Sequence, residues 1–342
     1  MVQINRVLDV KRAELNEKFK MTPRIYYSRI EKNAGEFFFL PNSIPRPTNP
    51  APTVSAALER KSDIDPASVQ AYVSRGTDYR NKKEFDRAIA EYNEAIRLDP
   101  KATIAFYGRG ISYKEKRDYD RAIADYTEAI RLDPKYGPSF NGRGNAYQEK
   151  RDYDRAIADY TEAIRLDPKN AVAFYNRGIS YREKNDYDRA IADYTEAIRL
   201  NPKDVFAFHN RGNVYRAKND YDRAIADYTE ANRLDPKDPD PLYGRGNVYK
   251  AKNDYDRAIA DYTEAIRLNP KYDKAFQSRG NAYYDKKDYD RAIADYTEVV
   301  RRDPKNAAAL YWRGKAKRMK GDASGGDADI SKAKQLDPTV GN

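Results

Sequence analysis

The amino-acid sequence predicts an all-α protein built as a solenoid of eight helix–turn–helix repeats, each 34 residues long. Three observations predict this fold. A phrase such as Tyr-Asp-Arg-Ala-Ile-Ala-Asp-Tyr-Thr-Glu-Ala-Ile-Arg-Leu recurs at the same interval along the chain. Each copy places apolar or small residues at positions 4, 8 and 11, which share one face of a first helix, and at positions 20, 24, 27 and 28, which share one face of a second. One aromatic residue dominates, with 30 tyrosines against 11 phenylalanines, as expected when a single motif is copied many times.

The first helix of each copy carries a glycine at repeat position 8, and the alanine at position 20 of the second helix is also small. These residues predict a close crossing of the two helices. The copies run 69–102, 103–136, 137–170, 171–204, 205–238, 239–272, 273–306 and 307–340. The glycines are Gly76, Gly110, Gly144, Gly178, Gly212, Gly246, Gly280 and Gly314.

Each second helix is expected to end at an Asp-Pro or Asn-Pro pair at positions 31 and 32, because the residue before a proline is disfavoured in the α region. Proline occupies position 32 in all eight copies, from Pro100 to Pro338. Position 34 then offers a helix N-cap in four copies, Asn170, Asp204, Asp238 and Asn306.

This pattern of a large residue at position 4, glycine at 8, tyrosine at 11, alanine at 20 and 27, an aromatic at 24 and proline at 32 resembles the tetratricopeptide-repeat family. The resemblance covers about four-fifths of the chain. It implies a right-handed superhelical solenoid whose first helices line a groove that receives extended peptides. Family members are scaffolds or adaptors rather than enzymes, so the expected partner is another protein or its extended segment.

Both ends of the repeat array depart from the pattern. Residues 53–66 predict a degenerate capping helix, since Ile64-Asp65-Pro66 is similar to the end of a repeat. The last copy has Lys317, Gly326 and Ile330 where tyrosine, alanine and tyrosine are usual, and this polar final helix is expected to close the stack.

Residues 1–52 are expected to form an extended or disordered N-terminal arm, because prolines follow Phe37-Phe38-Phe39-Leu40 at five positions up to Pro52. Two interpretations of the arm remain open. It is either a leader that contacts nothing, or a segment that docks on the solenoid within the same chain.

Composition excludes several classes of site. The chain has no cysteine, one histidine and a formal net charge of +10, so disulfides and thiolate metal sites are ruled out. No catalytic arrangement or phosphate-binding loop occurs, so we expect no enzyme activity, no metal and no cofactor. No signal peptide or membrane-spanning stretch is found, which predicts a cytoplasmic protein by default, although leaderless secretion also fits.

An arginine at position 7 of every copy invites a phosphate-binding interpretation. Acidic residues recur at position 23, however, so we favour the interpretation that these arginines form a ladder of ion pairs between helices. Arg121 and Asp125 are expected to form an ordinary i,i+4 pair, and lysines such as Lys116 and Lys135 are expected to be solvated. Nucleic-acid or anionic-surface binding through the arginine and lysine rows is the alternative function.

The candidate binding residues lie at positions 5, 6, 9 and 12 of the first helices, where the copies differ from one another. Asparagines there provide donors and acceptors for a peptide main chain, tyrosines provide rigid area, and basic residues favour an acidic partner. The predicted groove residues are Tyr107, Asn145, Tyr175, Asn176, Arg182, His209, Asn210, Asn213, Arg216, Tyr243, Asn247, Lys250, Gln277 and Asn281.

Overall fold

The computed structural model describes residues 66–341, which form sixteen helices in sequence. The predicted arm at 1–52 and the capping helix at 53–66 lie outside the described residues, apart from Pro66, which begins the first helix. The described part of the chain contains no strand, as the repeat pattern predicted.

Each repeat contributes one first helix, with an odd number, and one second helix, with an even number. The first four pairs are α1 Pro66–Asn81 and α2 Phe85–Leu98, α3 Thr103–Glu115 and α4 Tyr119–Leu132, α5 Gly137–Glu149 and α6 Tyr153–Leu166, and α7 Ala171–Glu183 and α8 Tyr187–Leu200. The other four pairs are α9 Val205–Ala217 and α10 Tyr221–Leu234, α11 Pro239–Ala251 and α12 Tyr255–Leu268, α13 Asp273–Asp285 and α14 Tyr289–Arg302, and α15 Ala307–Lys320 and α16 Ala323–Leu336.

Helix ends follow local chemistry. The predicted N-caps are confirmed: Asn170, Asp204, Asp238 and Asn306 each accept a hydrogen bond from a backbone N–H in the first turn of their helices. From α4 onwards, each second helix begins after an aspartate such as Asp118, whose side chain accepts from the N–H of Arg121 at 3.2 Å.

In the first seven repeats the core is a buried tyrosine at position 24, flanked by alanine at position 20 and by alanine or valine at position 27. In the second repeat Tyr126 is 1% exposed, and Ala122 and Ala129 are fully buried. The glycine at position 8 leaves room for this ring, since a Cβ on Gly246 would lie 2.7 Å from Cε1 of Tyr262. Replacing such a glycine by alanine would overpack the crossing, which typically costs about 1–3 kcal/mol.

In the last repeat the two helices cross without an aromatic ring between them. A Cβ on Gly314 would lie 2.6 Å from the carbonyl oxygen of Gly326, so the backbones of α15 and α16 approach closely. Lys317, in the position of the usual tyrosine, pairs instead with Asp329 at 2.8 Å. The final helix buries little beyond Gly326, Asp329 and Ala333.

The turn between the two helices of each repeat needs a left-handed residue at position 15. In seven repeats that residue is lysine, arginine or asparagine, with φ near 60°, as at Arg151 and Asn185. In the last repeat it is Gly321, with φ of 101°. Left-handed backbone is unfavourable for side chains other than asparagine and aspartate, so this position carries local strain in the lysine and arginine repeats.

Candidate functional site

The first helices form one side of the stack. Successive first helices contact each other directly, while the second helices of residues 66–341 make no comparable contact with one another. The repeats therefore converge on the side of the first helices. The predicted binding positions lie on these helices. Each of the fourteen predicted groove residues is at least partly buried.

The asparagines at position 9 are tied to the buried tyrosines at position 24. The hydroxyl of Tyr228 donates to Oδ1 of Asn213 at 2.8 Å, and that of Tyr262 donates to Oδ1 of Asn247 at the same distance. The same bond joins Tyr160 to Asn145 and Tyr296 to Asn281, each at 2.7 Å. The expectation that both ends of these amides face a partner therefore needs correction, because the acceptor oxygen is already engaged inside the repeat.

The fourth repeat lacks this bond. Its position 9 is Ile179, which is 6% exposed. The hydroxyl of Tyr194, fully buried beneath it, has no hydrogen-bond partner among the described residues. Burial raises the pKa of this phenol, so it remains protonated across the physiological range.

Other predicted residues join in a hydrogen-bonded network across three repeats. Nδ2 of Asn176 donates to Oδ1 of Asn145 at 3.0 Å, linking the third and fourth repeats. Asn210 links the fourth and fifth, since its Nδ2 donates to the hydroxyl of Tyr175 at 2.7 Å while its Oδ1 accepts from Nη1 of Arg182 at 2.6 Å. The sequence placed these residues on one face but could not show that they bond to one another.

His209 is 6% exposed and its ring stands edge-on to that of Tyr228, with centroids 5.5 Å apart. Burial lowers the pKa of His209 to about 4; Asp240 opposes this shift, whereas Arg216 and Arg182 add to it. The imidazole is therefore neutral at pH 7.

The basic residues at position 12 mostly face carboxylates of the chain itself. Nη2 of Arg182 lies 2.6 Å from Glu183, and Nζ of Lys250 lies 3.3 Å from Asp285. Arg216 lies beside the hydroxyl of Tyr228 and lowers the pKa of that phenol against the larger effect of burial. The positive charge on this face is thus partly compensated.

The remaining predicted residues pack mainly through their rings. Tyr243 contacts Tyr262 and Tyr272, with ring centroids 5.9 and 5.1 Å apart, and Tyr107 makes equivalent contacts with Tyr126 and Tyr136 in the second repeat. Gln277 is half-buried.

The arginine row at position 7 is an ion-pair ladder, as expected. Arg143 makes two bonds to Asp159, at 2.8 and 2.7 Å, and its Nη1 reaches Thr127 of the preceding repeat at 3.1 Å. Every position-7 arginine forms an ion pair with the acidic residue at position 23 of its own repeat.

Two expectations about other charges were wrong. Arg121 pairs with Asp118 rather than with Asp125, because Asp125 is occupied by Arg109. Lys116 is not simply solvated, since its Nζ forms an ion pair with Asp86 of the preceding repeat. The equivalent lysine pairs across every later junction as well, from Lys150 with Asp120 to Lys320 with Asp290.

Sequence reasoning missed an aromatic cluster at the end of the first-helix face, formed by Tyr284, Tyr311 and Trp312, with Tyr289 of α14 beside it. The ring of Trp312 stands nearly perpendicular to those of Tyr284 and Tyr311, at centroid distances of 5.4 and 5.7 Å. Trp312, the single tryptophan of the chain, is 36% exposed. Its place at position 6, where other repeats carry glycine, serine or asparagine, was the available signal.

Among residues 66–341, no three histidine, aspartate or glutamate side chains are grouped so that they could hold a metal ion. None of the helices in that same part of the chain has the length and apolar character needed to cross a membrane.

Family models for the tetratricopeptide repeat match the chain at 54–137, 141–205, 193–226 and 239–272, and a TPR-repeat model matches at 212–253 and 280–321. The chain belongs to the tetratricopeptide-repeat family. Proteins of this family are interaction scaffolds that bind other proteins or peptides, and they are generally non-catalytic. A comparison with curated proteins finds no match to this chain.

Solved structures share the fold. A tetratricopeptide repeat protein from Parabacteroides merdae is 19% identical with a TM-score of 0.54, and the match covers 78% of this chain and 99% of that one. PilF of Pseudomonas aeruginosa is also 19% identical with a TM-score of 0.54, covering 60% and 93%. The APC/C hetero-tetramer Cut9–Hcn1 gives 18% identity and a TM-score of 0.52, covering 75% of this chain and 50% of that one. At these identities the likeness shows the tetratricopeptide-repeat fold alone.

Proposed function

We propose that this protein is a non-catalytic scaffold or adaptor that binds an extended, acidic segment of another protein along the face of its first helices. The binding residues come from the fourteen predicted from the sequence, above all the asparagines at position 9, while the buried Tyr175, Asn176 and His209 support them from within the fold. The family supplies the general role, and the contacts of these asparagines support the location.

The observation that carries the proposal is the orientation of four amides. In Asn145, Asn213, Asn247 and Asn281, Oδ1 accepts from a buried tyrosine hydroxyl, which fixes the amide. The Nδ2 group of each then has no acceptor among the described residues. Peptide carbonyls are the natural acceptors for such a row of N–H donors, and a fixed donor loses little conformational freedom on binding.

The preference for acidic segments rests on charge. The chain carries a net charge of +10, and Arg182, Arg216 and Lys250 stand on the same face as the amides. Because Arg182 and Lys250 already face Glu183 and Asp285, an acidic segment competes with those pairs. We therefore expect charge to guide partner choice and association rate more than total affinity.

Nucleic acid is a weaker candidate. Phosphate binding needs accessible arginines and lysines, yet the arginines at position 7 hold the carboxylates at position 23 and most lysines at position 14 hold carboxylates of the preceding repeat. Binding to a single-stranded oligonucleotide with a log–log salt slope near −0.7 per contacted phosphate would favour this alternative.

A substitution taken from the chain itself tests the amide row. Position 9 of the first repeat is Thr77, whose hydroxyl lies 3.1 Å from that of Tyr92. Threonine therefore keeps the tyrosine partnered but removes the Nδ2 donor. We expect the double variant Asn247→Thr/Asn281→Thr to unfold at nearly the urea concentration of the parent.

The binding assay uses peptides enriched on the parent protein from a random 15-residue library. We expect the enriched peptides to be acidic and to bind the double variant about tenfold more weakly, as two lost hydrogen bonds of about 0.5–1.5 kcal/mol each imply. Lys135→Ala, on an exposed turn, is the matched control. Equal affinity of the double variant and the parent for every enriched peptide would contradict the proposal.

A further inference from the structure

The proposed segment must match the spacing of the repeats. Contacting helices lie about 8–10 Å apart, so adjacent first helices present their position-9 amides at roughly that interval. Asn213, Asn247 and Asn281 occupy three successive repeats and form three such donors in a row. A bound main chain must place carbonyl groups on one side at the same interval.

Two extended conformations differ in this respect. A β-strand rises about 3.3 Å per residue and alternates its groups between two sides, so carbonyls on one side recur about every 6.6 Å. A polyproline II helix has three residues per turn and rises 3.1 Å per residue, so every third carbonyl faces the same side about 9 Å further on. Only the second spacing agrees with the helix separation.

The aromatic cluster adds an independent observation at the end of this row. Tyr284 and Trp312 meet at 72° and Trp312 and Tyr311 at 85°, and Trp312 is 36% exposed, whereas the ring of Tyr311 lies against Gly341. Grooves lined by aromatic rings bind proline-rich polyproline II segments, since the rigid proline ring packs on a flat face at low entropic cost. The cluster is continuous with the amide row, because Tyr284 follows Asn281 on α13.

We propose that the partner segment binds as a polyproline II helix with a three-residue period, and that Trp312 and Tyr284 bind its proline residues at the end of the row. This inference rests on the proposed function and specifies the class of segment: acidic, proline-rich and free of hydrogen bonds within itself. Asn213, Asn247 and Asn281 then pair with the carbonyls of residues i, i+3 and i+6.

The test uses two fluorescein-labelled peptides of equal length and charge, one of five Glu-Pro-Pro units and one of five Glu-Gly-Gly units. Fluorescence anisotropy gives both affinities, and the emission of Trp312, the single tryptophan, reports contact at the cluster with unlabelled peptide. We expect the proline peptide to bind at least about tenfold more tightly, because its conformation is set before binding, and to shift the Trp312 emission.

Trp312→Ser provides the second arm, since serine stands at the same position in the preceding repeat as Ser278. This variant should lose the preference for the proline peptide while its melting temperature stays near that of the parent. Leu336→Ser, which removes an apolar residue of similar exposure (41%) from a second helix, should keep the preference. Equal or weaker binding of the proline peptide, or no binding of either, overturns the inference.

These outcomes separate the two proposals. Acidic library peptides that depend on Asn247 and Asn281 but show no proline period would leave the scaffold proposal standing and remove this one. Library peptides that ignore both asparagines would contradict the scaffold proposal itself.

Discussion

The fourth and fifth repeats share a fold and nearly all of their buried residues, yet the hydroxyl of the position-24 tyrosine is hydrogen-bonded in only one of them. In the fifth repeat Tyr228 donates to Asn213 at 2.8 Å, whereas in the fourth Tyr194 lies under Ile179 with its hydroxyl unpartnered among the described residues. The ring fills the crossing of the helices in both cases. The difference teaches that the position-24 tyrosine is required for its volume, while the residue at position 9 decides whether its hydroxyl contributes to stability.

Position 5 distinguishes the two repeats by the residue that can take up a proton on acidification. The fourth repeat has Tyr175 there and the fifth has His209, whose pKa is lowered to about 4 by burial, with Asp240 opposing and Arg216 and Arg182 assisting. Between pH 6.5 and 4 the unfolded chain binds more protons than the folded one. The contribution of His209 to the free energy of unfolding is therefore complete above pH 6.5 and is lost as the pH falls towards 4. The loss amounts to about 3 kcal/mol, at 1.36 kcal/mol per pKa unit.

The pH effect is measured as the free energy of urea unfolding at pH 7.5 and pH 4.5, for the parent and for His209→Gln. Glutamine is a suitable control because Gln277 occupies the same position in the seventh repeat. The variant should lose less stability than the parent on acidification. Identical losses would show that His209 is not shielded as described.

Truncating Asn213, the hydrogen-bond acceptor of Tyr228, should have the next largest effect on the free energy of unfolding. Asn213→Ala leaves the hydroxyl of Tyr228 buried without its acceptor, which typically costs about 1–3 kcal/mol. Asn213→Thr should cost much less, since Thr77 already serves Tyr92 in the first repeat. Chemical denaturation of both variants measures the difference, and equal costs would contradict the structural role of the amide.

Removing the hydroxyls themselves should separate the two repeats further. Tyr228→Phe deletes a bond worth about 0.5–1.5 kcal/mol, whereas Tyr194→Phe deletes a buried group with no described partner and should be neutral or stabilising. Adding Ile179→Asn should make Tyr194→Phe destabilising, because the fourth repeat then resembles the fifth. The double-mutant cycle measures this coupling, and a coupling energy near zero would show that the asparagine does not reach the tyrosine.

The smallest effect is expected where the two repeats agree. Asn185 and Asn219 occupy the left-handed position of the turn in the fourth and fifth repeats, with φ of 61° and 60°. Replacing either by lysine should lower stability by the same few tenths of a kcal/mol, up to about 1, because asparagine tolerates this conformation better. Unfolding free energies that differ between the two lysine variants would show that the turns are not equivalent.

The fold could be predicted from the sequence because the residues that define each helix pair recur at the same positions in successive repeats. Glycine, tyrosine and proline at fixed positions defined the helix pairs, and caps such as Asn170 and Asp204 were evident from residue type alone. The ladder of Arg143 and Asp159 also followed, since both residues recur in register.

The details of the candidate site could not be predicted in the same way. Helical spacing places Asn213 beside the first-helix face, but only the three-dimensional packing shows that its oxygen meets the hydroxyl of Tyr228. Lys116 and Asp86 lie 30 residues apart and pair only across a junction between repeats. Trp312 was overlooked because comparison among copies favours recurring residues over unique ones.

The contacts between adjacent repeats affect how such a chain can change in evolution. Internal repeats dock on their predecessors through the same set of contacts, the lysine at position 14 on the aspartate at position 18 and the arginine at position 7 on the residue at position 25. A copy can therefore follow almost any other copy without a mismatched surface. Unequal recombination that adds or removes whole 34-codon units would yield proteins that still fold, so the length of the first-helix face can evolve in steps of one repeat.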